Sequence, residues 1–178
     1  MTEASILHQP INVAELPADP VVVTANEKQR KALAEAYDVV AVNALTASVE
    51  LRPMPGGGVA VDGRVVADIV QNCVVSLVPV DEHIDETFSL RYVRDPDRLP
   101  KPGEELLVEV DAPDPPELLE GIAIDVGALA EEHFALAINP YPRAPGAALP
   151  ADVDDAGSAK DSPFAVLAAL AKSPKPRG

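Results

Sequence analysis

The stretch QNCVVSLVPV, residues 71–80, contains Cys73, the single cysteine of the 178-residue chain, with Ser76 three positions later. A thiolate can serve as a nucleophile, a metal ligand or a redox group. Cys73 shares the parity of Val65 and Ile69 in the apolar strand pattern before it, so we expect it on the buried face. Because free cysteine commonly behaves as a small hydrophobe, we predict that Cys73 is a structural core thiol.

Metal chemistry has little support in the sequence. A structural zinc site needs about four Cys or His ligands, and besides Cys73 the chain has only His8, His83 and His133. A trio of Cys73, His83 and His133 has no spacing signature. Glu131-Glu132-His133 lacks the second histidine of a zinc-protease helix. We predict no catalytic residue, no metal site and no cofactor, and keep a thiol- or metal-dependent enzyme as the third functional alternative.

The charge of the chain is unevenly distributed. The net charge is −15, and residues 81–132 contain sixteen Asp and Glu against four Arg and Lys. Such a field repels a phosphate backbone on average and attracts a basic protein. The simpler alternative is that the acidic residues only keep the protein in solution.

The four basic residues of that segment support a second function. Arg91, Arg94, Arg98 and Lys101 lie within eleven residues, and a local basic face of this kind would let the protein bind RNA directly. This alternative predicts tight binding with a steep salt dependence, because each neutralised phosphate releases counterions.

Targeting and membrane signals are lacking in the sequence. One cysteine cannot form an internal disulfide, which fits a reducing compartment. The N-terminal residues are too polar for a signal peptide, and no apolar run approaches the roughly 20 residues that cross a bilayer. We expect a cytoplasmic protein with no membrane contact.

The elements that must position these residues are mainly strands. Residues 21–25 and 45–52 read as strands, the second with strict alternation of apolar and polar residues. Residues 59–73 carry their apolar side chains at odd positions. Asp62-Gly63 is a favoured tight-turn pair, so these residues form either one strand or two strands joined by a hairpin turn. Residues 83–92 and 104–110 predict further strands, and the short connections favour antiparallel pairing.

Two helices are predicted to pack on this sheet. The first starts at Asn26 as N-cap, with Leu33 and Tyr37 on its inner face. The second starts at Asp125 as N-cap and ends before Pro140. Its buried candidates are Leu129, Phe134 and Ile138.

The predicted fold is therefore α+β: a curved antiparallel sheet with two packed helices and a C-terminal helix on a flexible segment. Whether the sheet closes into a barrel is left open. We predict a single domain over residues 1–143, with an acidic Pro-rich linker at 111–121 inside it. A flexible linker (144–161), a helix (162–172) and a disordered tail (173–178) follow.

Three segments, taken in order, resemble the YceD family of large ribosomal RNA subunit accumulation proteins. They are CVVSLVPV (73–80), IDVGALAEEHFALAINPYPRAPG (124–146) and SPFAVLAALAK (162–172). Ser76 stands where many members have a second cysteine, and the loop after Tyr141 has no further cysteine. A metal or redox role for a cysteine pair is therefore not carried over.

The resemblance implies a non-enzymatic bacterial factor in large-subunit biogenesis, needed for accumulation of large-subunit rRNA. Combined with the acidic segment, it leads us to expect binding to a basic ribosomal protein or assembly factor in preference to direct binding of rRNA. The candidate partner-binding residues are Glu120, Glu131 and Glu132, with Tyr141 and Arg143 in the exit loop. The sequence does not indicate the oligomeric state.

Overall fold

The computed structural model describes residues 5–99 and 115–148. The chain divides into two compact units, residues 1–144 and 145–178, and all the following elements lie in the first. In chain order they are β1 (Pro10–Asn12), β2 (Val21–Thr24), α1 (Glu27–Ala36), β3 (Ala41–Met54), β4 (Gly58–Asn72), β5 (Pro79–Val93), a 3₁₀ helix (Pro96–Arg98), β6 (Glu117–Leu118), β7 (Ala123–Asp125) and α2 (Val126–Ala137). The predicted α+β class is confirmed.

The largest sheet within residues 5–99 and 115–148 has the strand order β2-β3-β4-β5-β6. β2, β3, β4 and β5 pair antiparallel, whereas β5 and β6 pair in parallel, so the sheet is mixed. Residues 94–116 separate β5 from β6, which is long enough for the crossover that parallel pairing needs. Among these strands β2 and β6 are the two edges, so this part of the sheet is open rather than a closed barrel.

The inner face of the sheet follows from strict alternation. In β4 the odd-numbered apolar side chains are buried, while the even-numbered residues from Ala60 onwards are half-exposed or exposed. Corresponding positions of β3 and β5 join the same core. The buried strand residues include Leu45, Ala47, Val49, Leu51, Val59, Val61, Val65, Ala67, Ile69, Ile84 and Phe88.

Asp62 and Gly63 lie inside β4, so residues 58–72 form one strand and the tight-turn alternative is wrong. The ring of Phe88 explains the glycine: a Cβ at position 63 would overlap its ring atoms. Phe88 also stacks on the imidazole of His133, with ring centroids 4.0 Å apart and nearly parallel planes. Long-range packing therefore overrides the local turn preference of the Asp-Gly pair.

Both helices begin at the predicted caps. The Asn26 side chain accepts a hydrogen bond from the Gln29 N–H, and the Gln29 side chain accepts one from the Asn26 N–H, each at 3.0 Å. α1 packs on β3, and α2 packs on β1, β2, β4 and β5. Leu33 of α1 and Phe134 of α2 are fully buried. The rings of Tyr37 and Phe134 meet edge to face, with centroids 5.7 Å apart.

Residues 5–13 form a strap across the start of α2, in a region where the sequence has no clear period. β1 pairs with β7, and Pro10 lies opposite Asp125. Asp125 accepts hydrogen bonds from the Gln9 N–H at 2.8 Å and from the Gly127 N–H at 3.1 Å. A Cβ at Gly127 would overlap the carbonyl group of Leu7. The strap therefore depends on a glycine in the first turn of the helix.

Several predicted segments lie outside the described residues: the strand at 104–110, the C-terminal helix at 162–172 and the tail at 173–178. Of the predicted linker 111–121, residues 115–121 are described. Within them Glu117–Leu118 form β6 and Leu119 is buried, so this part belongs to the folded body. No helix in the described part of the chain is both long and apolar enough to cross a membrane.

Candidate functional site

Cys73 follows the last residue of β4 and has no solvent-exposed surface. Its sulfur accepts hydrogen bonds from the Ser76 N–H at 3.4 Å and from the Ala144 N–H at 3.3 Å. Its backbone N–H donates to the Val78 carbonyl, and its carbonyl accepts from the Leu77 N–H, both at 2.9 Å. The loop of residues 73–78 thus closes around the thiol.

These donors lower the pKa of Cys73 from 9.0 to about 6. The largest cause is the hydrogen bond from the Ala144 backbone, followed by those from Ser76, and burial acts in the opposite direction. A catalytic thiolate also needs access to a substrate, and this sulfur has no exposed surface. The geometry lets Cys73 tie its loop to the segment after α2. The structural role stays a prediction.

The two histidines considered with Cys73 lie on different faces of the sheet. His83 is on the outer face of β5, with Nδ1 2.7 Å from Asp68 Oδ1, whereas His133 belongs to α2 and packs on Phe88 at the inner face. Within residues 5–99 and 115–148, no group of three or more His, Cys, Asp or Glu side chains could hold a metal ion.

Glu131, predicted to face a partner, is occupied inside the protein. Its Oε2 accepts hydrogen bonds from the Ser5 hydroxyl at 2.6 Å and from the Leu7 N–H at 3.1 Å. Its Oε1 accepts one from the Tyr37 hydroxyl at 3.0 Å. Burial, together with this carboxylate, raises the pKa of Tyr37 to about 12. Glu131 therefore anchors the strap and α1 to α2.

An open groove of about 480 Å³, here called the acidic groove, runs along β6, β7 and the first turns of α2. Its polar lining comes from three carboxylates and one phenol, and the rest is apolar. The lining residues are Tyr92, Glu117, Leu118, Leu119, Glu120, Ala123, Ile124, Asp125, Ala128 and Leu129.

The pKa of Tyr92 indicates a negative potential in the acidic groove. Its side chain is half-buried and forms a hydrogen bond with Glu117. The pKa of Tyr92 is raised well above its usual value of 10, first by burial and then by the charges of Glu117 and Glu132. Of the predicted partner residues, Glu120 lines the groove and Glu132 is close enough to act on Tyr92. Both are exposed.

Tyr92 and Glu117 are residues of this site that were not predicted from the sequence. Glu117 lies three positions before Glu120 in the run PPELLEG, and that spacing was the available signal. The alternation of residues 83–92 places Tyr92 on the inner face of the sheet with Phe88, which indicates a core residue rather than a groove residue. Only the parallel pairing of β5 with β6, which sets Tyr92 opposite Glu117, brings the two together.

Tyr141 and Arg143 are exposed and lie in the segment after α2, away from the residues that line the acidic groove. This segment is held by the Cys73 loop, because the Val74 N–H donates to the Pro142 carbonyl at 2.9 Å. Tyr141 and Leu77 are about three-quarters exposed, at 73% and 75%.

The basic residues of the RNA-binding alternative gather at the turn between β3 and β4. Arg94 Nε donates to the Gly57 carbonyl at 3.2 Å, and Arg98 Nη1 donates to the Pro55 carbonyl at 3.1 Å. Arg91 lies opposite Ala60 in the register of β4 and β5. Lys101 is outside the described residues.

The fold and the groove define an acidic α+β protein with a mixed, open sheet. The family model described as large ribosomal RNA subunit accumulation protein YceD matches residues 61–171, more than half of the chain. The chain therefore belongs to the YceD family, whose name assigns it to the accumulation of large-subunit ribosomal RNA. The match includes Cys73, most of β4 and all of β5, β6, β7 and α2. No curated protein and no solved structure matches the chain.

Proposed function

We propose that the protein is a non-enzymatic factor in large ribosomal subunit biogenesis that binds a basic ribosomal or assembly protein in the acidic groove. The observation that carries the proposal is the combination of Glu117 and Glu120 with apolar walls in one open groove. Membership of a family named for rRNA accumulation supplies the biological setting.

The chemistry of the acidic groove suits Lys and Arg side chains. Such side chains combine an apolar stem with a cationic head, and they bury the stem while the head stays in a polar environment. Leu118, Ile124 and Leu129 offer apolar contact for the stem, and Glu117 and Glu120 offer carboxylates for the head. A phosphate group would meet repulsion from the same carboxylates.

Charge also governs how the partner arrives. The acidic segment attracts a basic protein over the whole surface and accelerates encounter, and this attraction weakens as salt rises. The Debye length falls from about 30 Å at 0.01 M salt to about 8 Å at 0.15 M. Binding in the groove is therefore tightest at low salt and retains its short-range component at physiological salt.

The proposed partner surface adds Glu117 to the predicted residues and drops Glu131. Glu120 remains in the proposal because it is exposed and lines the groove, and Glu132 because it is exposed and acts on Tyr92. The carboxylate of Glu131 is already satisfied by three internal donors. Tyr141 and Arg143 stay as proposed contacts in the exit loop, supported by their exposure.

The thiol-enzyme alternative requires Cys73 to react in the folded protein. Its sulfur has no exposed surface and accepts two backbone hydrogen bonds. These features support a non-catalytic thiol. If Cys73 is a non-catalytic thiol, its alkylation should be slow and limited by unfolding. Rapid alkylation of the native protein would instead support a thiol-dependent enzyme.

The proposal is tested by capture of large-subunit ribosomal proteins extracted free of RNA. The immobilised full chain is compared with the triple variant Glu117→Gln, Glu120→Gln, Glu132→Gln, with elution in steps of NaCl. The wild-type chain should retain a subset of the basic proteins, and the triple variant should release them at lower salt, with about tenfold weaker affinity for each 1.4 kcal/mol of lost attraction.

The matched control is Glu15→Gln, Asp19→Asn, Glu35→Gln, which removes three exposed acids that do not line the acidic groove. It changes the net charge by the same amount. If both triple variants lost capture equally, overall charge alone would explain the interaction. The acidic groove would then not be the binding site. Failure of the wild-type chain to retain any ribosomal protein would refute the proposed function.

A further inference from the structure

The turn between β3 and β4 is contacted by two exposed arginines in a protein of net charge −15. Arg94 and Arg98 reach this turn, Pro55–Gly57, from the end of β5 and from the 3₁₀ helix. We call these two arginines and the turn the arginine tip. Arg52 and Arg91 lie nearby on the outer face of the sheet, because both are in register with Ala60 of β4.

The two guanidinium groups of the arginine tip are held by neutral partners. Each donates to a backbone carbonyl of the turn, at 3.1 and 3.2 Å, and neither is ion-paired with a carboxylate in the described part of the chain. A guanidinium has five N–H donors in a fixed plane, so a single carbonyl bond leaves further donors for an anion. By contrast, Arg52 is paired with Glu50 and Asp62.

The glycines of the turn leave space for the two arginine side chains. Gly56 and Gly57 have φ values of +84° and +75°, which side-chain-bearing residues rarely adopt. A Cβ at Gly56 would lie 3.1 Å from Arg98 Nη1, and one at Gly57 would lie 3.2 Å from the Arg94 side chain. The glycines thus let both arginine side chains lie directly against the backbone of the turn. This positioning reduces the conformational entropy that binding has to remove.

Two carboxylates share the segment that carries these arginines, because the exposed Asp95 and Asp97 lie between Arg94 and Arg98. The Asp95 carboxylate accepts the Asp97 N–H at 3.0 Å and caps the 3₁₀ helix. At physiological salt the Debye length is about 8 Å, so distant carboxylates are largely screened and the charges nearest an incoming anion decide the interaction. Near the turn the charges of Arg94 and Arg98 therefore match those of Asp95 and Asp97, whereas acids outnumber bases in the molecule as a whole.

We propose that the arginine tip binds the phosphodiester backbone of RNA. Guanidinium groups match the geometry of phosphate oxygens, and two arginines held on one rigid turn suit successive phosphates of a strand. This contact goes beyond the proposed function: the acidic groove holds a basic protein, and the arginine tip adds a direct contact with the nucleic acid. It reads no bases, so we expect it to be independent of sequence.

The test uses the full chain and a fluorescein-labelled twelve-nucleotide oligouridylate, followed by anisotropy between 20 and 300 mM NaCl. The variant Arg94→Gln, Arg98→Gln should bind at least about tenfold more weakly at 20 mM NaCl. Its plot of log affinity against log salt should be less steep by roughly 1.4, since each single-strand phosphate contact contributes about 0.7.

The matched control is Lys28→Gln, Lys31→Gln, which removes two exposed cations of α1 and should leave affinity and slope close to those of the wild type. The charge-preserving variant Arg94→Lys, Arg98→Lys should retain most of the slope. This variant separates the effect of the positive charges from the effect of the arginine hydrogen bonds to the turn. Thermal unfolding shows whether each variant is folded. If the double Gln variant is unstable, each single Gln variant should give half of the slope change.

Three outcomes would overturn the proposal. The first is equal binding by the double Gln variant and the α1 control, and the second is wild-type binding without salt dependence. The third is displacement of the oligonucleotide by inorganic phosphate well beyond that by sulfate at equal ionic strength, which would indicate a site for free phosphate. Variants of Glu120 and Glu132 in the acidic groove should bind the oligonucleotide at least as well as the wild type. The two surfaces are therefore tested separately, and a negative result for RNA binding would not refute the proposed binding of a basic protein in the groove.

Discussion

At the scale of single residues, Cys73 combines a buried sulfur with a lowered pKa. Burial in apolar surroundings raises the pKa of a thiol, so the two N–H donors from Ser76 and Ala144 must outweigh it. The donors come from the loop and from the exit segment, so a thiolate strengthens the contact between them. This geometry supports the prediction that Cys73 holds the backbone of the loop and of the exit segment in place.

This arrangement predicts stability that depends on pH. The pKa of Cys73 is about 6 in the folded protein and 9.0 ordinarily, so the folded state favours the thiolate. The contribution of the thiolate is fully present above pH 9 and is lost as the pH falls towards 6. The free energy of unfolding of the wild type, minus that of Cys73→Ala, should therefore increase from pH 6 to pH 9 in urea titrations. A pH-independent difference would contradict it, since all other titrating groups are common to both proteins.

At the scale of elements, the alternating strands and the helix caps were predictable because they follow from local patterns. A period of two marks a half-buried strand, and Asn26 and Asp125 are residues whose side chains accept hydrogen bonds from the first turn of a helix. The three-residue strands β1 and β7 carry no period of their own. They exist because the strap meets α2, which no local pattern encodes.

Gly127 shows how such a tertiary contact changes the meaning of a residue. In a free helix, Gly to Ala would stabilise by roughly 1 kcal/mol. Here the added methyl group would overlap the Leu7 carbonyl, so Gly127→Ala should destabilise the protein, by about 1–3 kcal/mol if the cost resembles that of other overpacked sites. Denaturant unfolding measures it. The control is Gly121→Ala, where the added Cβ meets no atom within 4 Å and only the positive φ opposes it. A stabilised Gly127→Ala would show that the strap is not held as described.

The candidate site was predictable only where local sequence features indicate it. Composition identified the acidic segment, and the resemblance identified the family, which the family match confirms. The role of Glu131 was hidden because its donors, Ser5, Leu7 and Tyr37, are far from it in sequence. The arginine tip was visible as a cluster in sequence. Its carbonyl partners in the β3–β4 turn were not, because that pairing depends on the register of three long strands.

At the scale of the whole molecule, the two proposed binding surfaces occupy distinct places. The acidic groove lies along β6, β7 and α2, and the arginine tip lies at the β3–β4 turn. Both depend on β5, which provides Tyr92 to the groove and leads directly into Arg94. A single strand end therefore connects the surface proposed for a basic protein with the surface proposed for RNA. Such a layout suits a factor that brings the two kinds of molecule together.

A surface kept acidic for binding should reduce the stability of the protein that carries it. Like charges repel within a compact chain of net charge −15, and the exposed Glu120 and Glu132 lie in its most acidic segment. Glu120→Gln, Glu132→Gln should therefore raise the free energy of unfolding at 0.01 M NaCl, by up to about 0.5 kcal/mol for each surface substitution. The gain should vanish at 1 M NaCl, where the Debye length is about 3 Å. The control Glu15→Gln, Asp19→Asn removes two exposed acids outside that segment and should gain less. A loss of stability at low salt would instead mean that these carboxylates hold the folded chain together, and the case for keeping them as a binding surface would fail.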